Sequence, residues 1–196
     1  MNIIERVKEI ILKPKETWEK IKGEEVGIGG LYISYAIILA AIPAIANLIG
    51  TAFIGYSVMG IYFRVPFGNA LGSAILSYIL SLIGIYIVAL IADALAPGFD
   101  SKKNITNAFK ATVFSMTPYW VAGILYIIPA LSPIVLIAGL YGIYLFYLGL
   151  PLLMETPKEK ALPYVIIVIV VTFIINLIIG LITSAIFMPR GIGRVM

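Results

Sequence analysis

The chain contains no cysteine and no histidine. That rules out disulfides and thiol catalysis, and it removes the commonest ligands for zinc, haem and iron–sulfur clusters. No cofactor and no metal site is expected. Charge is scarce as well. Only 12% of the residues are Asp, Glu, Lys or Arg, about half the share of an ordinary soluble domain, roughly 25%. With 61% of its 196 residues apolar, the chain has more apolar surface than a fold of this size can hide from water, so lipid must be part of its solvent. Catalysis is not expected either. An intramembrane serine enzyme needs a His or Lys partner, and an aspartyl enzyme needs two facing carboxylates. Asp93 and Asp100 share one loop, and no second acid lies inside an apolar run. The net charge of +4 does not point to nucleic acid, because the basic residues sit in short segments between the apolar runs. The N-terminus lacks the uninterrupted apolar stretch of a signal peptide: Glu5, Arg6, Lys8 and Glu9 break up Ile3 to Leu12.

What the sequence does have is long uncharged stretches. From Ala111 to Met154 there is no charged side chain. This is too long for one crossing of about 30 Å, which takes roughly 20 helical residues, and the cluster Pro129-Ala130-Leu131-Ser132-Pro133 divides it in two. The same reasoning along the chain predicts an all-α polytopic membrane fold with five transmembrane helices, at about 29–54, 70–92, 108–128, 133–154 and 162–188. Residues 1–28 read as amphipathic helices that either lie at the interface or dock a partner, or pack on the protein's own cytoplasmic loops. Ile3, Ile4, Val7, Ile10 and Ile11 share one face, Asn2 suits a cap, and Pro14 suits the first turn of a second helix carrying Trp18 and Ile21. Residues 190–196 form an extracytoplasmic tail. Eleven of the fourteen lysines and arginines fall in the N-terminal segment, the 93–110 loop and the 155–161 loop. The positive-inside rule therefore puts the N-terminus in the cytoplasm, the C-terminus outside, and the whole in the cell membrane.

Polar and helix-breaking residues within the spans mark a candidate cavity: Pro43 and Asn47 in the first, Pro118 and Tyr119 in the third, Tyr141, Tyr144 and Pro151 in the fourth, and Asn176 in the fifth, with Asp93 at a span end. Ser73, Ser77 and Ser81 recur at a spacing of four near Gly84 and read as a helix-packing face. Trp18, Ile21, Lys102 and Lys103 are the candidate contacts for a partner on the cytoplasmic side.

Three stretches carry a resemblance: LKPKETWEKIKGE at 12–24, ALAPGFDSKKNITNAFKATVFSMTPYWVAGI at 94–124, and GLYGIYLFYLGLPLLMETPKEKALPY at 139–164. Together they resemble the Yip domain family of membrane proteins, in its prokaryotic branch of about 200 residues. The resemblance implies a five-span fold with a cytoplasmic N-terminus, and in eukaryotic relatives an organising role in membrane traffic alongside Ypt/Rab GTPases. The chain has no copy of the eukaryotic Asp-Leu-Tyr-Gly-Pro motif, and its N-terminal segment is short, so a GTPase partner is not carried over. The expectation is a non-enzymatic membrane scaffold that binds a protein or lipid partner from the cytoplasmic face, with homo-oligomers possible. The alternative is a transporter or channel for a lipid or small neutral solute.

Overall fold

The computed structural model describes residues 2–58 and 60–187. The tail expected at 190–196 lies outside the described residues. Among the described residues four helices are long and apolar enough to cross a membrane: α3 (Ile28–Ile54), α4 (Phe67–Leu95, extended by a tight turn to Phe99), α7 (Ser132–Leu153) and α8 (Lys158–Phe187). Ahead of them come α1 (Ile3–Leu12) and α2 (Pro14–Gly23). Asn2 caps α1 by accepting from the amides of Ile4 and Glu5, and Pro14 opens α2. A short hairpin, β1 (Tyr56–Val58) with β2 (Ile61–Phe63), joins α3 to α4 and is the one departure from all-α structure among the described residues.

The segment expected as the third span, 108–128, is broken into short pieces. It forms α5 (Ile105–Ser115), α6 (Thr117–Ala122) and a tight turn at Gly123–Ile127. Pro118 sits in the first turn of α6, where its missing N–H costs nothing, and the chain bends at Met116 just before it. Tyr35 on α3 holds this break, its hydroxyl 2.8 Å from that of Thr117. Pro43 does not interrupt α3. The helix instead relaxes into wide turns at Tyr32–Ala36 and Gly50–Ile54.

The centre of the bundle is α5, not the most apolar helix. All residues from Ala108 to Ser115 are buried. Helix α8, the most uniformly aliphatic, is the least buried of the four long helices and packs chiefly along α4. This inversion follows from the solvent: leucine and isoleucine gain nothing by leaving lipid, so small and polar groups take the packed interior. Glycines permit the closest contacts. Gly50 lies against the backbone carbonyl of Tyr126, Gly123 against Pro43, and Gly142 against the carbonyl of Ser115. The start of α5 lies beside the start of α3, and the turn after α6 lies beside Gly50 near the far end of α3.

The two ends of the bundle differ. At one end, α1, α2, the link after α4 and the link before α8 lock together. Lys102 N–H donates to the Met154 carbonyl (2.8 Å), Asn107 Nδ2 to that of Leu153 (2.9 Å), and Ser101 Oγ to Thr156 Oγ1 (2.8 Å). Lys160 pairs with Asp100. This is the polar end. The opposite end carries the hairpin, the turn near Pro129 and the close of α8, where Asn69 Nδ2 donates to the Phe187 carbonyl (3.1 Å).

The N-terminal helices are not spread over a lipid surface. Trp18 is 1% exposed and Ile21 0%. Trp18 packs edge-on to Phe114, 6.2 Å between centroids, and its ring fills the space left by Gly149. Arg6 lies 5.7 Å over the Phe114 ring and pairs with Glu24. The buried Lys110 donates to the carbonyls of Ile21 (3.3 Å) and Glu24, closing the C-terminal end of α2. Lys20 bonds Glu9 across α1 and α2 at 2.6 Å. Its ammonium holds the Glu9 carboxyl below the ordinary carboxylate value, and Glu9 raises Lys20 in return. The amphipathic pattern is thus satisfied by the chain's own core, which removes Trp18 and Ile21 as surface contacts for a partner.

Candidate intramembrane cavity

A cavity of about 320 Å³ opens among α3, α4, α6 and α8. Its wall from α3 carries Pro43 and Asn47. From α4 come Ser73, Ser77 and Ser81, and from α6 and the following turn Tyr119, Trp120 and Tyr126. Helix α8 adds Thr172 and Asn176. The lining carries hydroxyls and amides and includes no Asp, Glu, Lys or Arg. By the volume a water occupies in the liquid, about 30 Å³, the space corresponds to roughly ten waters.

Several of these groups spend their hydrogen bonds on their own helix. Ser81 Oγ donates to the Tyr78 carbonyl (2.8 Å), and Thr172 Oγ1 to that of Val168 (2.8 Å). Ser77 reaches across to Thr183 on α8 at 3.3 Å. Asn176 Nδ2 donates to the Thr172 carbonyl (2.8 Å), leaving its Oδ1 without a donor among the described residues. Asn47 is exposed, and its amide makes no hydrogen bond among the described residues. Moving an amide into a medium that cannot hydrogen-bond costs about 4–8 kcal/mol. Asn47 and Asn176 thus bring two amides with unused hydrogen-bonding capacity to one cavity, which water or a hydrogen-bonding guest can satisfy.

The structure sorts the sequence candidates into three groups. Pro43, Asn47, Tyr119 and Asn176 come together in the cavity. Tyr141 and Tyr144 do not. Helix α7 packs on the far side of α5 and α6, Tyr141 donates to the Ile11 carbonyl (2.7 Å), and Tyr144 is 43% exposed. The expected tyrosine-lined wall is therefore corrected: these phenols anchor α1 or face outward. Pro118 serves the break before α6, and Pro151 and Asp93 lie at the polar end. Asp93 Oδ2 is 4.0 Å from Lys103 Nζ. Lys102 Nζ sits 2.6 Å from Glu155, whose carboxyl this hydrogen bond holds below its ordinary value. Sequence reasoning placed the serines of α4 in a packing face and missed their part in the cavity. The signal was there, since a stripe of hydroxyls is more than packing requires. Among the described residues no group of three or more acidic side chains could hold a metal ion.

A fold of this kind, apolar helices around a broken central segment, defines a multi-pass integral membrane protein. The Yip1 domain matches residues 8–180, and the chain belongs to the Yip1 family. It is similar to the inner membrane protein YohC of Escherichia coli K12, with 26% identity over 159 residues, 77% of this chain and 80% of the relative. The same protein from Escherichia coli O6:H1 matches equally. No solved structure gives a significant match.

Proposed function

We propose that the protein is a non-enzymatic component of the cell membrane that receives an uncharged, hydrogen-bonding guest in the intramembrane cavity, either a small neutral solute or a neutral lipid headgroup. One observation carries this reading: Asn47 and Asn176, from helices distant in sequence, converge on a space with polar but uncharged walls. Absence of charge in the lining argues against an ion-coupled mechanism and against a charged substrate. The scaffold reading keeps only Lys102 and Lys103 of its four contacts, since Trp18 and Ile21 are enclosed.

The test is native mass spectrometry of gently extracted protein. Wild type retains a neutral ligand, and Asn47→Leu/Asn176→Leu lowers its affinity about eightfold or more, because each intramembrane amide contact is worth about 0.6–2 kcal/mol. The melting temperature of the variant holds or rises, as two amides no longer face a partly apolar space. A protein that comes out bare, or a variant that keeps the ligand, sinks the reading.

The topology belongs to the same proposal. Residues 105–127 run beside α3 along most of its length, which supports a fifth crossing, with the polar end and N-terminus cytoplasmic by its excess of lysine and arginine. The natural absence of cysteine allows a direct check. In spheroplasts, Tyr62→Cys in the exposed hairpin reacts with an impermeant maleimide from outside, and Lys15→Cys reacts only after permeabilisation. The reverse pattern would invert the orientation.

A further inference from the structure

At the polar end a second concavity, a groove of about 660 Å³, lies between the end of α7 and the start of α8, with Lys22 of α2 at its rim. It is independent of the cavity described above and shares no residue with it. Its floor is apolar: Leu148, Pro151 and Leu152 of α7 and Ala161 of α8. Tyr147, 41% exposed, stands beside them. Its rim is basic. Lys22 and Lys158 are exposed and make no ion pair among the described residues. Glu155 is the acid on the rim, and Lys102 already neutralises it at 2.6 Å. With Glu155 bound by Lys102, the rim keeps a net positive charge from Lys22 and Lys158, although Lys22 also acts on the Glu155 carboxylate.

Placement makes the combination specific. Helix α8 turns apolar immediately after Lys160, and α7 is apolar down from Leu153. The groove thus straddles the level at which the charged links give way to the lipid-facing helices. A ligand that fits must carry negative charge at one end and hydrocarbon at the other. Lysine ammoniums are strongly hydrated point charges suited to phosphate, and Tyr147 supplies the amphipathic ring found at headgroup level.

We propose that this groove binds one anionic phospholipid, with its phosphate between Lys22 and Lys158 and an acyl chain lying along Leu148 and Leu152. The lipid ties α2, α7 and α8 together at the polar end.

The experiment uses the full chain in mild detergent, exchanged into mixtures of phosphatidylglycerol and phosphatidylcholine of matched acyl chains, with bound lipid counted by native mass spectrometry and stability followed by melting. One phosphatidylglycerol is expected to remain at a collision energy that strips phosphatidylcholine, and to raise the melting temperature. Lys22→Gln and Lys158→Gln each lower its retention about fivefold, from the usual attraction between a lysine and an anionic lipid surface. Both side chains are exposed, so the variants fold. Lys8→Gln and Lys15→Gln, also exposed and outside the groove, leave retention unchanged. Equal loss in the control pair would reduce the effect to diffuse surface charge and overturn the site. So would equal retention of the two lipids. If inorganic phosphate alone reproduced the melting shift, the groove would be a free-phosphate site and the lipid proposal would fall. None of these outcomes depends on Asn47 or Asn176, so failure here leaves the cavity reading untouched.

Discussion

Replacing Trp18 with alanine is expected to lower stability by about 3–5 kcal/mol, the cost of emptying a tryptophan-sized site in a packed core. The ring is 1% exposed and wedged between Phe114 of α5 and Gly149 of α7. A Cβ added at Gly149 would stand 2.5 Å from Cε2 and Cζ2 of the indole. Gly149→Ala alone is therefore an overpacking change and should cost about 1–3 kcal/mol. In the Trp18→Ala background the same methyl enters the void, and the sign of its effect reverses. A double-mutant cycle followed by thermal unfolding in detergent measures this coupling, expected at about 0.5–3 kcal/mol for residues in direct contact. If Trp18→Ala melted with wild type, α2 would lie loose on the membrane surface and the docked arrangement would be refuted.

The second large effect is expected at Gly50. A Cβ there falls on the carbonyl oxygen of Tyr126 and 3.0 Å from that of Ile127. Both obstacles are backbone, so no rotamer change relieves them. Gly50→Ala should cost about 1–3 kcal/mol or more, and by pushing Tyr126 it should also deform the cavity wall that residue helps to form. Gly180→Ala provides the contrast. It lies within α8 with nothing within 4 Å of the added atom, so it should stabilise by about 0.4–1 kcal/mol, chiefly by restricting the unfolded chain. Opposite signs for these two glycines in one melting series would locate the close approach of the 105–127 segment to α3. Equal small gains would show that no such approach exists.

The apolar runs were legible because lipid demands them, whatever the tertiary arrangement. That is why the membrane class and the long helices could be read from residue type alone. The break in the central segment was less legible. Ser115, Thr117 and Pro118 pointed to a kink, but the packing at the break involves Tyr35 on Thr117 and Gly142 against the Ser115 carbonyl, which are distant in sequence. The covering of α1 and α2 was legible only as an open choice between the membrane surface, a partner and the protein's own chain. An apolar stripe says that something must cover it, and membrane surface and own core satisfy the same pattern. Within the cavity, Asn47 and Asn176 were readable as isolated amides in apolar helices, whereas Tyr141 and Tyr144 were misplaced because periodicity fixes a face of α7 but not which neighbour that face meets.

The docking of the N-terminal helices has a consequence for the order of synthesis. Tyr141 donates to the Ile11 carbonyl across 130 residues, and Gly149 receives Trp18 across a similar separation. At about 5–20 residues per second, the ribosome delivers these partners roughly 7 to 26 seconds after α1 and α2 emerge. For that interval the first two helices carry an apolar face with nothing to meet it. The first residues made are thus the last to settle, and a chain arrested before α7 would hold its N-terminus open to chaperone or protease.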